Sequence, residues 1–149
     1  MTPGLQSAGK AYVHIGDLVN GRAYAVAVRA MYTQGLGIRA ISAPGLRSAI
    51  MTGTPRTVAT APRITTITTS GGSITIIFEA PKDNGGAAIT NYAYSFGGST
   101  WKAANPKTAL GPIIISQLKP GMTYTVRLRA INAAGAGLAS GIAAIVVKR

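Results

Sequence analysis

The fold is decided by residues 118–130, which read LKPGMTYTVRLRA. From Tyr124 to Ala130 apolar residues alternate with polar ones, and this period of two is typical of a β-strand that buries one face. Arg127 and Arg129 fall on the opposite face, which we expect to meet solvent. These residues therefore predict a half-buried strand in a sheet with one apolar side.

Much of this stretch also occurs one hundred positions earlier in the chain. A period of that length indicates duplicated domains and not the units of about 20–50 residues that build solenoids. The spacing of leucine, glycine and tyrosine is typical of a tyrosine corner, whose hydroxyl bonds back to the backbone where the chain crosses between sheets. The matched residues are Leu18, Gly21, Tyr24, Val26, Arg29, Ala30, Gly35 and Gly37 in the first copy and Leu118, Gly121, Tyr124, Val126, Arg129, Ala130, Gly135 and Gly137 in the second.

Short runs with β-branched and aromatic residues lie on both sides of the second copy of this stretch. The Gly-rich loop at 81–86 and the trio Asn132, Gly135 and Gly137 predict turns between strands. Seven short strands within about 90 residues predict an all-β, immunoglobulin-like sandwich. The predicted strands cover residues 64–69, 73–79, 89–96, 100–103, 113–115, a strand from 124 onward, and 141–147.

With these features, residues 62–149 resemble a bacterial- or phage-type fibronectin type III domain. Phe78 stands where that family usually has a core tryptophan, and Tyr32 of the first copy stands where the family has an asparagine. The resemblance implies a seven-stranded sandwich that serves as a structural or binding module. It is carried by Ala61-Pro62, ITIIF at 74–78 with Pro81, DNGG at 83–86, Ile89, Tyr92, Leu118, Gly121, Tyr124, Ala130, Asn132, Gly135, Gly137 and Ser140.

Residues 1–52 are predicted to be a partial copy with only the last strands, because position 1 corresponds to position 101. So few strands, split between two sheets, do not enclose a core. Three explanations stay open: the chain is a segment of a longer protein, a partner donates the missing strands, or this stretch moves against the intact domain. Residues 53–61, rich in threonine, proline and glycine, are expected to form an extended linker. The apolar residues left without a facing sheet are Val13, Ile15, Leu18, Tyr24, Val26 and Val28.

The chain is strongly basic, with 15 Lys and Arg against three acids and a net charge of +12. Six cations and one acid lie in residues 1–61, and nine cations and two acids lie in 62–149. A positive net charge of this size attracts acidic polymers such as nucleic acid or anionic glycans, although a basic surface also occurs without a dedicated partner. Arg127 and Arg129 share an outward face, and Arg29 holds the equivalent place in the first copy, so a basic stripe is expected on one sheet as a candidate binding surface. Trp101 either stacks on a ligand or covers a sheet edge.

The composition disfavours catalysis and predicts neither a cofactor nor a metal. The chain has no cysteine, one histidine (His14) and three acids (Asp17, Glu79 and Asp83), which leaves little material for thiolate chemistry, a multi-histidine metal site or a carboxylate pair. On a strand, His14 and Asp17 would point to opposite faces, so we interpret His14 as a polar rim residue. Asp83 is interpreted as a turn former.

The sequence thus predicts a non-enzymatic module of a surface-exposed array that mediates adhesion, spacing or assembly. Its expected partners are other protein subunits or neighbouring repeats, and secondarily acidic polymers. Its expected location is extracellular, on a cell surface or a virion, although no signal-peptide pattern is visible. The apolar run at 130–147 predicts a final strand and no membrane span. The alternatives are an accessory domain of a secreted polysaccharide-degrading enzyme and a basic polyanion-binding protein.

Overall fold

A computed structural model describes residues 12–34 and 41–148. All regular structure within these ranges is β. The strands are β1 (Tyr24–Val26), β2 (Arg29–Gln34), β3 (Ile41–Arg47), β4 (Met51–Gly53), β5 (Arg63–Ser70), β6 (Ser73–Glu79), β7 (Asn91–Phe96), β8 (Lys102–Ala103), β9 (Ile113–Ile115), β10 (Thr123–Asn132), β11 (Gly135–Ala139) and β12 (Ala143–Val146).

Residues 57–148 form a two-layer unit, here called the sandwich. One layer has the strand order β5-β6-β9, and the other has the order β11-β10-β7-β8 with β12 also paired to β10. The apolar faces of the two layers meet in one core, as expected for an immunoglobulin-like fold. The all-β sandwich predicted from the sequence is confirmed. The core consists of Ala59, Ile74, Ile76, Tyr92, Ala104, Ile113, Ile115, Val126, Leu128, Ala130 and Val147.

The alternation in β6 follows the pleat of the strand. Ile74 and Ile76 are fully buried, whereas Ile77 on the opposite face is exposed. Phe78 continues the inward face, and its ring meets that of Tyr92 edge-on with centroids 4.5 Å apart. An aromatic side chain therefore packs against the core at the position where the related family has tryptophan.

The last strand of the sandwich differs from the prediction. Residues 135–139 form β11 instead of a turn, which is confined to residues 133–134. β11 and β12 both pair with β10 and are separated by residues 140–142. The N–H of Ser140 donates to the Leu128 carbonyl at 2.7 Å. The glycine at 137 serves close packing, because a Cβ there would lie 2.5 Å from the carbonyl oxygen of Ala59.

Residues 12–34 and 41–53 form a smaller unit, here called the N-terminal hairpin. β1 pairs with β4, and β2 pairs with β3. The N–H of Ser48 donates to the Val28 carbonyl at 2.8 Å, while the Val28 N–H donates to the Ser48 Oγ at 2.9 Å. Ser140 and Leu128 make the same pair of hydrogen bonds in the sandwich.

The hairpin has no strand between residues 12 and 23, so His14 and Asp17 do not lie on a strand. The corresponding strand of the sandwich, β9, pairs with Ile74 to Ile76 of β6. The described part of the hairpin contains no second strand of that kind. A β-branched run needs such a backbone partner to become a strand.

The correspondence between residues one hundred positions apart holds along β2 up to Tyr32, but it does not hold for the strand that pairs with β2. Tyr32 pairs with Ala43, whereas Asn132 pairs with Gly135. The matched Gly35 and Gly37 lie outside the described residues. In the hairpin, residues 43 and 45 therefore hold the register positions that residues 135 and 137 hold in the sandwich.

The end of the segment expected as a linker packs against the sandwich. The Thr57 N–H donates to the Gly85 carbonyl and the Thr60 N–H to the Asp83 carbonyl, both at 2.9 Å. Ala59 is fully buried, and its carbonyl accepts from Leu138 at 3.1 Å. The division into residues 1–52, 53–61 and 62–149 stays a prediction, and these contacts place residues 57–60 with the sandwich.

We expect residues 57–149, expressed alone, to unfold in one cooperative thermal transition because a complete core is present. Residues 62–149 should melt lower, since they lack the hydrogen bonds of Thr57 and Thr60 and the buried Ala59. At about 1 kcal/mol for each such hydrogen bond, the difference should be several degrees. Circular dichroism of the two fragments measures it. Equal melting temperatures would mean that residues 57–61 contribute nothing to the sandwich.

Candidate functional site

Each unit contains a tyrosine whose hydroxyl hydrogen-bonds to the backbone five residues earlier. The Tyr124 hydroxyl accepts from the Lys119 N–H at 3.1 Å, and the Tyr24 hydroxyl accepts from the Val19 N–H at 2.9 Å. Gly121 and Gly21 take φ values of 80° and 79°, which favour glycine. The leucines of the same pattern, Leu118 and Leu18, are half-buried.

Trp101 and Arg129 lie together on the outer face of the larger sheet. The Arg129 guanidinium carbon is 4.3 Å from the centre of the Trp101 ring, which is the geometry of a cation–π contact. Trp101 immediately precedes β8, the edge strand next to β7. Both side chains are half-buried, so the tryptophan covers the sheet edge and leaves part of its surface accessible.

Arg127 and Arg129 are less exposed than the alternation predicted. In the ladder Arg127 stands opposite Ser95 and Arg129 opposite Ala93, and both smaller residues are buried. Side chains opposite each other lie on the same sheet face. The two arginines therefore lie on the outer face as expected, and their aliphatic stems cover part of it. The Nε atoms of both are buried and have no hydrogen-bond partner among the described residues.

Arg29 does not join these residues on one sheet. It lies on β2 of the N-terminal hairpin, opposite Arg47 of β3. The two arginines line a shallow cleft together with Ala25, Ala27 and Ile50. Arg127, Arg129 and Trp101 thus lie together on one sheet, and Arg29 lies on another.

The contacts between the hairpin and the sandwich form a junction that sequence reasoning missed. The side-chain amide of Asn20 donates to the Thr57 hydroxyl at 3.1 Å, and the Gly21 N–H donates to the Pro55 carbonyl at 2.9 Å. Gly86, with φ of 75°, lies so close that a Cβ there would be 2.2 Å from the Gly21 nitrogen. The paired glycines at 85 and 86 are the one sequence signal for this close approach.

Asn132 holds the sandwich side of this junction. Its buried amide donates to the Thr57 carbonyl at 2.9 Å and to the Asn84 carbonyl at 2.7 Å. Its side-chain oxygen accepts from the Ala134 N–H at 2.9 Å. The sequence marks Asn132 only as a turn residue, since its two long-range partners are 75 and 48 positions away.

The acids of the sandwich serve structure. Asp83 accepts from the Gly85 N–H at 2.7 Å, as expected for a turn former. Glu79 pairs with Arg63 at 3.4 Å on an exposed surface. The described residues contain no group of three His, Cys, Asp or Glu side chains placed to hold a metal ion. They also contain no helix long and apolar enough to cross a membrane.

Tyr92 is fully buried, and its hydroxyl has no hydrogen-bond partner among the described residues. Burial raises the pKa of this hydroxyl above its ordinary value, because the charged phenolate loses its hydration. Because Tyr92 lies in the core, its hydroxyl affects the stability of the folded state and not the binding of a ligand at the surface.

A family model of the fibronectin type III domain matches residues 60–146, more than half of the chain. The chain belongs to the fibronectin type III family. The match begins inside the segment whose backbone is hydrogen-bonded to the loop at 83–86. Domains of this family are generally non-catalytic structural or binding modules, and the described residues contain no catalytic constellation.

Solved structures share this fold at low sequence identity. A crystal structure of titin domains aligns with a TM-score of 0.56 and 15% identity over 87% of this chain and 60% of that one. The FN1–FN3 domains of chicken CNTN1 align at 0.52 and 15% over 71% of this chain and 38% of theirs. A human fibronectin type III domain in solution aligns at 0.51 and 23% over 62% of this chain and 82% of that one.

The chain spans only 18% of a further similar structure, titin kinase with its flanking domains. These similarities concern the fold. A search of the curated proteins found no match to the chain.

We expect two tyrosine substitutions to act in opposite directions. Tyr124→Phe removes the hydrogen bond to Lys119 and should lower the free energy of unfolding by about 1 kcal/mol. Tyr92→Phe removes a buried hydroxyl without a partner and should leave that free energy unchanged or raise it by up to about 1 kcal/mol. Urea unfolding of both variants measures the difference.

The pH dependence provides a second measurement. The folded state keeps Tyr92 protonated while the unfolded state ionises near pH 10, so stability should fall as the pH rises above about 10. This loss should be smaller in Tyr92→Phe. Equal losses in both proteins would show that Tyr92 does not carry the alkaline sensitivity.

Proposed function

We propose that the chain is a repeat unit of a surface-exposed array and that it holds neighbouring units at a fixed spacing. The observation that supports this most is the junction, where Asn20 and Gly21 of the hairpin meet Pro55, Thr57 and Gly86. An array that spaces its parts needs stiff connections, because a flexible linker lets each unit rotate independently. The Gly21 N–H bonds to Pro55 in the segment between the units, Asn20 bonds to Thr57, and the Gly86 backbone packs against Gly21.

The proposed partners are other protein subunits or neighbouring repeats. The proposed location is extracellular, on a cell surface or a virion, and it rests on the resemblance to bacterial and phage fibronectin type III domains. Repeats of this type work through their ends and surfaces. In this proposal the module needs neither a cofactor nor a metal to perform that role.

Gly86→Ala tests the junction. The added Cβ would overlap the Gly21 nitrogen, so the two units should separate while the sandwich stays folded. We expect the largest dimension from small-angle X-ray scattering to increase and the amide signals of Asn20 and Gly21 to shift. Gly97→Ala is the matched control, because Gly97 has a similar φ of 78° but open space around its Cβ position. Unchanged dimensions and amide signals in Gly86→Ala would contradict the proposal.

A second candidate function is binding of an acidic polymer by Arg127, Arg129 and Trp101. It is favoured by the stacking of Arg129 on Trp101 and by the position of Arg127 two residues along the same outer sheet face. An aromatic ring beside guanidinium groups offers both stacking and charge to a nucleic acid or an anionic glycan. The net charge of +12 adds a long-range attraction to such polymers.

The double variant Arg127→Met and Arg129→Met tests this binding. Methionine keeps much of each stem over Ser95 and Ala93 while removing the charge. The variant should leave a heparin or DNA column at lower salt than the wild type. Each lost contact with a phosphate lowers the slope of log affinity against log salt concentration by about one. The control is Lys82→Met with Lys148→Met, which removes two exposed charges elsewhere. Elution of both double variants at the same salt would contradict a dedicated site.

A further inference from the structure

The N-terminal hairpin exposes apolar side chains at positions whose equivalents in the sandwich are buried. Val28 is 54% exposed, whereas Leu128 is fully buried. Val13 is 73% exposed, whereas Ile113 is 4% exposed. We call Val13, Ile15, Tyr24, Val26 and Val28 the open face, because their equivalents at 113, 115, 124, 126 and 128 all face the core of the sandwich.

The sandwich shows what covers such a face. Ile74 and Ile76 of β6 pack into the same core as Val126 and Leu128. β6 also forms a ladder with β9, in which Ile74 stands opposite Ile115 and Ile76 opposite Ile113. One strand thus supplies an apolar cover and backbone hydrogen bonds together. In the hairpin, Val13 and Ile15 have neither from the described residues.

We infer that the open face is an acceptor for the first half of a fibronectin type III fold. The partner is a polypeptide with the strand order and side-chain pattern of residues 57–100. Its strand equivalent to β6 pairs with residues 13–15 and turns alternate β-branched side chains toward Val26 and Val28. This inference rests on the side-chain exposure and strand pairing of the hairpin. Its test is therefore independent of the test of the junction proposed above.

Backbone pairing decides between this partner and a second copy of the hairpin. Two hairpins packed face to face cover each other's apolar side chains but leave the N–H and C=O groups of residues 13–15 unpaired. Buried backbone groups without partners are costly. A strand like β6 satisfies these groups and the apolar face at once, which is the mode of recognition called β-augmentation.

The experiment places an additional copy of residues 57–100 directly before Met1 of the full chain. This junction reproduces the spacing of the sandwich, because residue 1 corresponds to residue 101. In the control, Ile74→Ser and Ile76→Ser are introduced into the added copy alone. Amide hydrogen exchange of residues 13–28 and thermal unfolding are measured for the natural, extended and control chains.

We expect amides at 13–15 and 26–28 to exchange at least about 100-fold more slowly in the extended chain than in the natural one, with a second cooperative unfolding transition. The control extension should give neither. Unchanged exchange in the extended chain would overturn the inference. Slow exchange in the 149-residue chain that appears only when this chain sediments as a dimer would also overturn the inference. A second copy of the chain would then occupy the open face.

Discussion

The structure depends on one strand, β10, which is paired along both edges. β7 lies on one side of it, and β11 and β12 share the other side. Its inward residues Val126, Leu128 and Ala130 have no solvent exposure. A side-chain hydrogen bond acts near each end, from Lys119 to the Tyr124 hydroxyl and from Asn132 to the Thr57 and Asn84 carbonyls. Fixing this strand therefore fixes the sheet, the core and the loops at both ends.

The sequence predicted those parts of the fold in which local pattern and tertiary environment agree. The bounds of β6 and β9 were correct, because alternation, β-branched residues and the flanking glycines all favour strands there. β11 was missed because its glycines were interpreted as turn residues. Gly137 is in fact required by the approach of the Ala59 carbonyl, a constraint that comes from 78 residues away and leaves no local pattern.

The candidate site was predictable in part for the same reason. Period-two alternation assigned Arg127 and Arg129 to the outer sheet face, and the structure places them there, beside Trp101. Alternation does not report that long stems fold over small neighbours such as Ala93 and Ser95. The junction at Gly86 and the amide contacts of Asn132 join segments far apart in sequence. Local propensity carries no information on such contacts.

A serine interrupts the outer strand of each unit, at Ser48 in the hairpin and at Ser140 in the sandwich, and this interruption affects how readily another chain can pair there. At Ser48 and Ser140 the side-chain oxygen accepts the hydrogen bond from the neighbouring strand, and the outer ladder is broken into two short pieces. A long, continuous edge strand is a template on which another chain can add. In the proposed array, similar units tethered in a row would experience a high local concentration. The break at each serine shortens the template that each unit presents, which would oppose fibre-like pairing between neighbours.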